Sequence, residues 1–447
     1  MTLRFGTDGV RGEANVDLTP ELTVALGRAA ARALGVDRPF VLGRDTRRSG
    51  PMLEAALAAG LAAEGADVEL AGVLPTPAVA YLTQTRDGPG AVISASHNPF
   101  FDNGIKFFAR GGRKLTDDVE ARIEAGLDKL LAGSPPPGPA GTRVGTVREA
   151  TDPATGYRHH LEAALEGRRL DGLRVVVDCG HGAASPVAFA VLDRLGAKVE
   201  VRNAEPDGTN INDRCGATHP EGLRTDVVAA GAQAGLAFDG DADRLIAVDE
   251  KGGLVDGDHL LAIAALDLRD RGRLRHDAVV ATVMANLGFR RAMAEHGIRM
   301  VETQVGDRYV LAAMEATDVV LGGEQSGHLI FSDLATTGDG LLSGLVLLDV
   351  MARTGRPLSE LASVVTKLPQ VLRNVIVARR DGLDGAGPFW EEVRAVETEL
   401  GDAGRVLVRP SGTEPVVRIM VEAATAEAAE ACAARLEAAL TSALGCG

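Results

Sequence analysis

Helix and strand signals alternate over about the first three quarters of the chain, and this rhythm restricts its possible folds more than any other feature. Thr19-Pro20-Glu21 opens a helix, because Thr19 can cap free N–H groups and Pro20 lacks an N–H where none is needed. Apolar residues recur at Leu22, Ala25, Leu26, Ala29, Ala30 and Ala33 until Gly35 stops the helix. Phe40-Val41-Leu42 predicts a strand, 51–64 a second helix and Val68-Glu69-Leu70 a further strand, with short buried strands at 91–94 and 105–108. Such a β-α-β succession predicts a mixed or parallel sheet sandwiched by helices.

The run GSPPPGPAG at 133–141 can continue neither helix nor strand and predicts a domain boundary nearby. The rhythm then resumes: helix 156–165, strand 173–178, helix 185–195 and a strand pair at 235–238 and 245–248. A third block has helix 259–268, strand 278–283, helix 287–296, strand 299–302, helix 307–315 and strand 319–321. The style changes near 370. Strand 371–377, helix 388–400, strands 405–409 and 416–421 and helix 426–444 predict a small α+β unit. At 447 residues, three or four domains are expected.

Composition excludes several function classes. Aromatic residues are 3% of the chain, too few for platforms that stack single-stranded nucleic acid. The net charge of −15 argues against a broad nucleic-acid face, though not against a local pocket for a small anion. Cys179, Cys215, Cys432 and Cys446 show neither CxxC nor zinc spacing, which fits a reducing, cytoplasmic setting. The first residues lack the apolar run of a signal peptide, and stretches such as 260–266 are too short to span a bilayer, so no membrane association is expected.

Five loops carry candidate chemistry. Asp239-Gly240-Asp241-Ala242-Asp243 sets carboxylates at every second position with spacers of little bulk, so they can converge on a hard cation such as Mg²⁺ or Ca²⁺. The same residues partly match an EF-hand loop, but Arg244 stands where that loop needs Gly, and strand signals flank it. Arg244 is instead placed to hold an anion beside the metal. Ser94-Ala95-Ser96-His97-Asn98-Pro99 follows a buried strand, where α/β sheets bind ligands, and a turn through 102–106 would return Lys106 toward the serine. No GxSxG elbow is present, which counts against a common hydrolase. Arg409-Pro410-Ser411-Gly412-Thr413-Glu414-Pro415 offers hydroxyls, backbone N–H groups and a guanidinium to a phosphate without being a Walker loop. Arg418 adds charge there or points to solvent. Gly322-Gly323-Glu324-Gln325-Ser326-Gly327-His328 suits sugar hydroxyls. The fifth loop, 6–12, brackets Arg11 with glycines. Each of these alone is compatible with an ordinary polar turn; together they make a metal set, an exposed serine, a phosphate cradle and a sugar loop that one cleft would join.

Five segments, FGTDGVRG (5–12), ISASHNP with DNGIKF (93–107), DGDADR (239–244), GGEQSGH (322–328) and RPSGTEP (409–415), resemble the α-D-phosphohexomutase superfamily, in order and over the whole chain. TTGDG (336–340) and VGDRYV (305–310) are most similar to the branch that acts on glucosamine phosphates. Ala242 departs from the family pattern, which usually has Gly there. The resemblance implies four domains around a central cleft: three related α/β mixed-sheet sandwiches at 1–150, 151–252 and 253–368, and a smaller α+β domain at 369–447.

It also implies interconversion of glucosamine 6-phosphate and glucosamine 1-phosphate, feeding UDP-N-acetylglucosamine and cell-wall synthesis, with glucosamine 1,6-bisphosphate as intermediate and activator. Ser96 matches the serine that carries the phosphoryl group. Asp239, Asp241 and Asp243 match the ligands of one Mg²⁺, completed by a phosphoserine oxygen. Arg409, Ser411, Gly412 and Thr413 would hold the distal phosphate; Glu324 and Ser326, with His328 in the same loop, would grip the sugar. Arg11, Lys106 and Arg244 would stabilise charge near Ser96. Lys106, His97 and His328 are all candidates for the general base. A phosphosugar is the expected partner, with a homodimer possible for the family. The rivals are a phosphoglucomutase or phosphomannomutase with the same machinery, an Mg²⁺-dependent sugar phosphatase, and a phosphosugar sensor, against which the intact serine and aspartates argue.

Overall fold

Short runs of Val, Ile, Phe and Ala with buried side chains form the inner strands, and longer apolar or amphipathic runs between them form the helices. The computed structural model describes residues 4–6, 8–133, 137–378, 382–410 and 416–445. They form two compact units: Met1–Met284 with Ile298–Val364, and Ala285–Gly297 with Val365–Gly447.

The first unit holds three sheets. β1 (Val10–Glu13), β2 (Phe40–Arg44), β3 (Val68–Val73), β4 (Gly90–Ile93), β5 (Asp102–Ala109), β6 (Arg113–Lys114) and β7 (Val147–Glu149) make a mixed sheet of order β1-β5-β4-β2-β3-β7, with β6 beside β5. β2 runs parallel to β3 and β4, whereas β5 is antiparallel to both β1 and β4. β8 (Arg174–Asp178), β9 (Lys198–Arg202), β10 (Ala234–Phe238), β11 (Leu245–Asp249) and β12 (Leu254–Val255) form the second sheet, of order β12-β11-β10-β8-β9. β13 (Ala278–Thr282), β14 (Arg299–Thr303), β15 (Leu321–Gly323) and β16 (Leu329–Phe331) form the third, of order β14-β13-β15-β16. In the second unit β17 (Gln370–Ile376), β18 (Arg405–Pro410) and β19 (Val416–Glu422) form an antiparallel sheet of order β17-β19-β18. Helices Gly387–Leu400 and Ala426–Leu444 pack on it through Phe389, Val393, Val396, Leu436 and Leu440.

The first helix follows its sequence signals. It spans Pro20–Leu34, the Thr19 side chain accepts from the Leu22 N–H, and Gly35 closes it at φ +88°. Other bounds shift for local reasons. The helix expected at 185–195 starts only at Ala188, because 180–187 form a turn in which the Ala183 N–H bonds to the Gly240 carbonyl. The strand expected at 319–321 begins at Leu321, because the preceding helix runs to Thr317 and Asp318 reverses the chain at φ +52°. β7 lies beyond the Pro/Gly run and pairs with β3, so the first sheet closes only at Glu149. Helices Thr76–Thr85, Asp117–Ala132, Glu221–Ala230 and Gly340–Thr354 were not expected from the pattern; the last is buried on nearly all sides and shows no readable stripe. Cys179, Cys215 and Cys432 are buried free thiols, and Cys446 lies outside the described residues. Among the described residues no helix is long and apolar enough to cross a membrane.

Candidate active site

Ser96 stands in the loop that joins β4 to β5. The antiparallel return places Lys106 opposite Val92, but the expected turn at 102–106 is itself part of β5: the chain reverses earlier, between Ser96 and Phe101, where Asn98-Pro99 bends it. Ser96 is buried and holds a left-handed backbone at φ +52°. Its hydroxyl donates to Asp239 Oδ2 at 2.6 Å, and His97 Nδ1 lies 3.4 Å from the Ser96 Oγ. Burial, then the charges of Arg244 and Arg11, push the His97 imidazole down to about 4, so its ring is neutral at pH 7.

The acidic loop is a hairpin loop between β10 and β11, with Phe238 opposite Leu245. Strands on both sides exclude the helix-loop-helix of an EF-hand. All three aspartates are buried, and one oxygen from each lies within 4.8 Å of the others. The loop is gripped from outside its own sheet. The Thr76 hydroxyl donates to Asp241 Oδ2 at 2.6 Å, the Thr76 N–H to the Asp241 carbonyl at 2.9 Å, and the Gly340 N–H to the Ala242 carbonyl at 3.0 Å. Asp241 Oδ1 and Asp243 Oδ1 are buried with no hydrogen-bond partner among the described residues. Burial and the neighbouring charges of Asp243 and Asp241 drive the Asp239 carboxyl well above its ordinary range. Buried, mutually repelling carboxylates with orphaned oxygens fit a divalent cation.

Ala242 holds φ +57° in this loop. That conformation costs a Cβ residue about 1–2 kcal/mol, largely offset by the greater freedom glycine has in the unfolded chain. Ala242→Gly is therefore expected to leave turnover within about twofold and stability within about 1 kcal/mol of wild type, checked by assay and thermal melt. A tenfold loss of turnover would show that the methyl matters.

Around the acids lies a closed circuit of charges. Lys106 Nζ is 2.9 Å from Asp241 Oδ2, 2.9 Å from Asp8 Oδ2 and 3.6 Å from Asp243 Oδ2. Asp8 also meets Lys114 at 3.0 Å and pairs with Arg11. Lys114 pairs with Asp307, whose Oδ2 lies 3.8 Å from His328 Nε2; His328 Nδ1 then lies 3.6 Å from Asp243 Oδ2. Burial alone would lower Lys106, but Asp241, Asp8 and Asp243 outweigh it and hold the ammonium well above its usual value. Burial would likewise lower His328, yet Asp243 and Asp307 raise it. Arg244 lies 3.8 Å from Asp243 Oδ1, and its N–H donates to Asp239 Oδ1 at 3.2 Å.

The loop GGEQSGH joins β15 to β16 and is pinned to the second sheet by the Leu245 N–H, which donates to the Gly327 carbonyl at 3.0 Å. Glu324 is half-buried and accepts from the Gly306 N–H at 3.0 Å; Ser326 is exposed; His328 is buried beneath the acidic loop. The first unit thus brings together Arg11, Ser96, His97, Lys106, Asp239, Asp241, Asp243, Arg244, Glu324 and His328, with Ser326 exposed in the same loop as Glu324. Arg409 and Arg418 belong to the second unit, where they stand directly opposite each other on β18 and β19, a concentration of positive charge. Ser411, Gly412 and Thr413 lie outside the described residues.

Motif reading missed Thr76, Asp8, Lys114 and Asp307, although Asp8 and Asp307 fall inside quoted motifs. It also missed Asp45, Arg47 and Asn212. In GRDTRRSG (43–50), a polar run closing a buried strand was the available signal.

Four family models described as phosphoglucomutase/phosphomannomutase match the chain: alpha/beta/alpha domain I at residues 2–132, domain II at 155–253, domain III at 256–368 and the C-terminal domain at 360–439. The phosphoglucosamine mutase of Acidothermus cellulolyticus is 57% identical over 94% of this chain and 92% of its own. That of Streptomyces griseus is 54% identical over 99% of each. Among solved structures, a phosphoglucomutase/phosphomannomutase family protein from Burkholderia thailandensis superposes with a TM-score of 0.80 at 26% identity, covering 98% of this chain and 97% of its own. An N-acetylphosphoglucosamine mutase from Aspergillus fumigatus, in complex with GlcNAc-6P and magnesium, shares the fold with a TM-score of 0.72 at 20% identity, over 99% and 96%. The chain belongs to the phosphoglucomutase/phosphomannomutase family.

Proposed function

We infer that this member of the family interconverts glucosamine 6-phosphate and glucosamine 1-phosphate, with Ser96 carrying the phosphoryl group between them. The observation that carries the chemistry is the Ser96 hydroxyl 2.6 Å from Asp239, at the edge of three buried carboxylates. The relatives at 54–57% identity, all phosphoglucosamine mutases, carry the choice of sugar.

In the first half-reaction the bond from Ser96 Oγ to phosphorus breaks as a sugar hydroxyl oxygen bonds to phosphorus. The sugar becomes a 1,6-bisphosphate, its hydroxyl proton passes to the protein, and Oγ ends as an alcohol. The bisphosphate turns around, and the reverse transfer of its other phosphate reloads Ser96. Asp239, Asp241 and Asp243, with an oxygen of the Ser96 phosphate, would hold Mg²⁺, which when bound neutralises charge on the transferring oxygens. Lys106, fixed among Asp241, Asp8 and Asp243, and Arg244 and Arg11 beside it bring positive charge to the same place. In-line transfer sets the attacking oxygen across phosphorus from Oγ. His97, 3.4 Å from Oγ, therefore stands on the serine side, where it can exchange the serine's proton; the sugar's proton is taken on the far side. Glu324 and Ser326 grip sugar hydroxyls, and the loop from Arg409 to Thr413 binds phosphate.

The test is a competition assay with Mg²⁺ and trace glucosamine 1,6-bisphosphate, offering glucosamine, glucose and mannose 6-phosphates. A preference for glucosamine of about tenfold or more in kcat/KM is expected, since a site that pairs its polar groups with the amino sugar leaves them unpaired with the others. Preference for glucose or mannose would transfer the chain to the rival mutases. Steady release of inorganic phosphate would make it a phosphatase.

A further inference from the structure

We infer that Asn212 and Arg47 are positioning residues for phosphoryl transfer, acting through the main chain of the Ser96 loop; this rests on the reading of Ser96 as the phosphoryl carrier. The backbone at Ser96, φ +52°, is one that a residue with a Cβ disfavours, so the surroundings must impose it. They do so from both sides of the residue. The Ser96 N–H donates to Ser94 Oγ at 2.9 Å, and Ser94 Oγ–H in turn donates to Asp45 Oδ2 at 2.7 Å. The Ser96 carbonyl accepts from Arg47 Nη2 and from Asn212 Nδ2, each at 2.9 Å. The same two side chains meet again at the Asn98 carbonyl, at 2.8 and 3.2 Å. Arg47 is wholly buried, anchored through Nε on Asp45 Oδ2 at 2.8 Å, and also donates to the carbonyls of Pro99 and, at 3.0 Å, of Asp102. With both flanking peptides held, little besides rotation about χ1 is left to Ser96.

The two halves of this clamp have different origins. Arg47 follows β2 of the first sheet. Asn212 follows β9 of the second and is tied there by its N–H to the Gly180 carbonyl at 2.9 Å. Gly240, between two of the proposed metal ligands, packs on the same spot: a Cβ there would lie 2.5 Å from the Ser96 carbonyl oxygen and 2.9 Å from Asn212 Nδ2. The Asn212 amide therefore registers the backbone of the serine loop against the backbone of the acidic loop, and so sets how Oγ meets Asp239.

Asn212 is the residue to vary, because removing the wholly buried Arg47 strands several carbonyls at once. Asn212 itself sits at φ +58°, which Asp tolerates and Gly adopts freely. Asn212→Asp keeps the shape but turns an oxygen toward two carbonyl oxygens, and Asn212→Gly removes the donor and keeps the backbone. The full-length protein is assayed with Mg²⁺, glucosamine 6-phosphate and glucosamine 1,6-bisphosphate, with thermal melts and intact mass spectrometry of the phosphoryl load on Ser96. Because misplacement of reacting groups by about 1 Å can cost about 100-fold, kcat is expected to fall about tenfold in Asn212→Gly and about 100-fold in Asn212→Asp, with KM within about threefold, a melting temperature near wild type in Asn212→Gly and a lowered one in Asn212→Asp, whose buried carboxylate has no donor to face. Asn212→Asp within about twofold of wild-type kcat overturns the inference, as does a parallel loss of melting temperature and kcat in both variants, which marks a structural role. A wild-type Ser96 that takes up no phosphoryl group overturns the carrier reading itself, and the clamp's role in transfer falls with it.

Discussion

Ser96→Ala is expected to lower turnover by about 10⁴-fold or more, because loss of a nucleophile that forms a covalent intermediate removes the whole route. No neighbour can take its place. Ser94 has the nearest hydroxyl in the same loop, but it is buried, donating to Asp45 and accepting from the Ser96 N–H. Its orientation belongs to the loop's support. The fold should survive: the substitution removes one hydrogen bond to a charged group, about 1–3 kcal/mol, against a typical total stability of about 5–15 kcal/mol. A coupled mutase assay beside a thermal melt checks both halves. Turnover within tenfold of wild type, on a folded protein, would end the carrier reading.

The second large effect is expected at Asp239. Asp239→Asn should reduce turnover by about 10³-fold, because a metal that stabilises transferring phosphoryl oxygens contributes several kcal/mol to the transition state. The same change should not destabilise the metal-free protein. Asp239 is buried beside Asp241 and Asp243, which raise its carboxyl, so a neutral amide relieves repulsion there. Added Mg²⁺ should raise the melting temperature of wild type, since it binds the native state, and should no longer do so in the variant. An equal Mg²⁺ shift in both proteins would show that the ion binds elsewhere.

The parts of this site that were legible in the sequence are those in which a short segment carries its own chemistry. Three aspartates at alternate positions with small spacers can converge on one centre, and Ser96 with the returning Lys106 is a local hairpin whose turn residues are visible. The charge circuit was not legible. Asp8 meets Lys114, Lys114 meets Asp307 and His328 meets Asp243 across long stretches of chain, and nothing in one sequence pairs them. Arg47 was hidden for another reason. An arginine in GRDTRRSG looks like a solvated charge, and it is buried only because the carbonyls of a distant loop need its donors. The fold shows the same division. Strands and amphipathic helices with clear periodicity were readable, whereas Gly340–Thr354, apolar on nearly every side, carries no period to read.

The closed circuit Asp243–Lys106–Asp8–Lys114–Asp307–His328 alternates in sign once His328 is protonated, and so it has a parity. Replacing any one member leaves two like-charged neighbours without the partner between them, in a place with little water to screen them. Exchanging two adjacent members keeps the total charge but puts a like charge beside each of their outer neighbours. A stepwise mutational path through these positions must therefore cross a deep valley, and a charge swap such as Lys114→Asp with Asp307→Lys does not step over it, because it sets a carboxylate against Asp8 and an ammonium against His328. The six residues should drift together or stand still, and a library that varies them singly will find almost nothing.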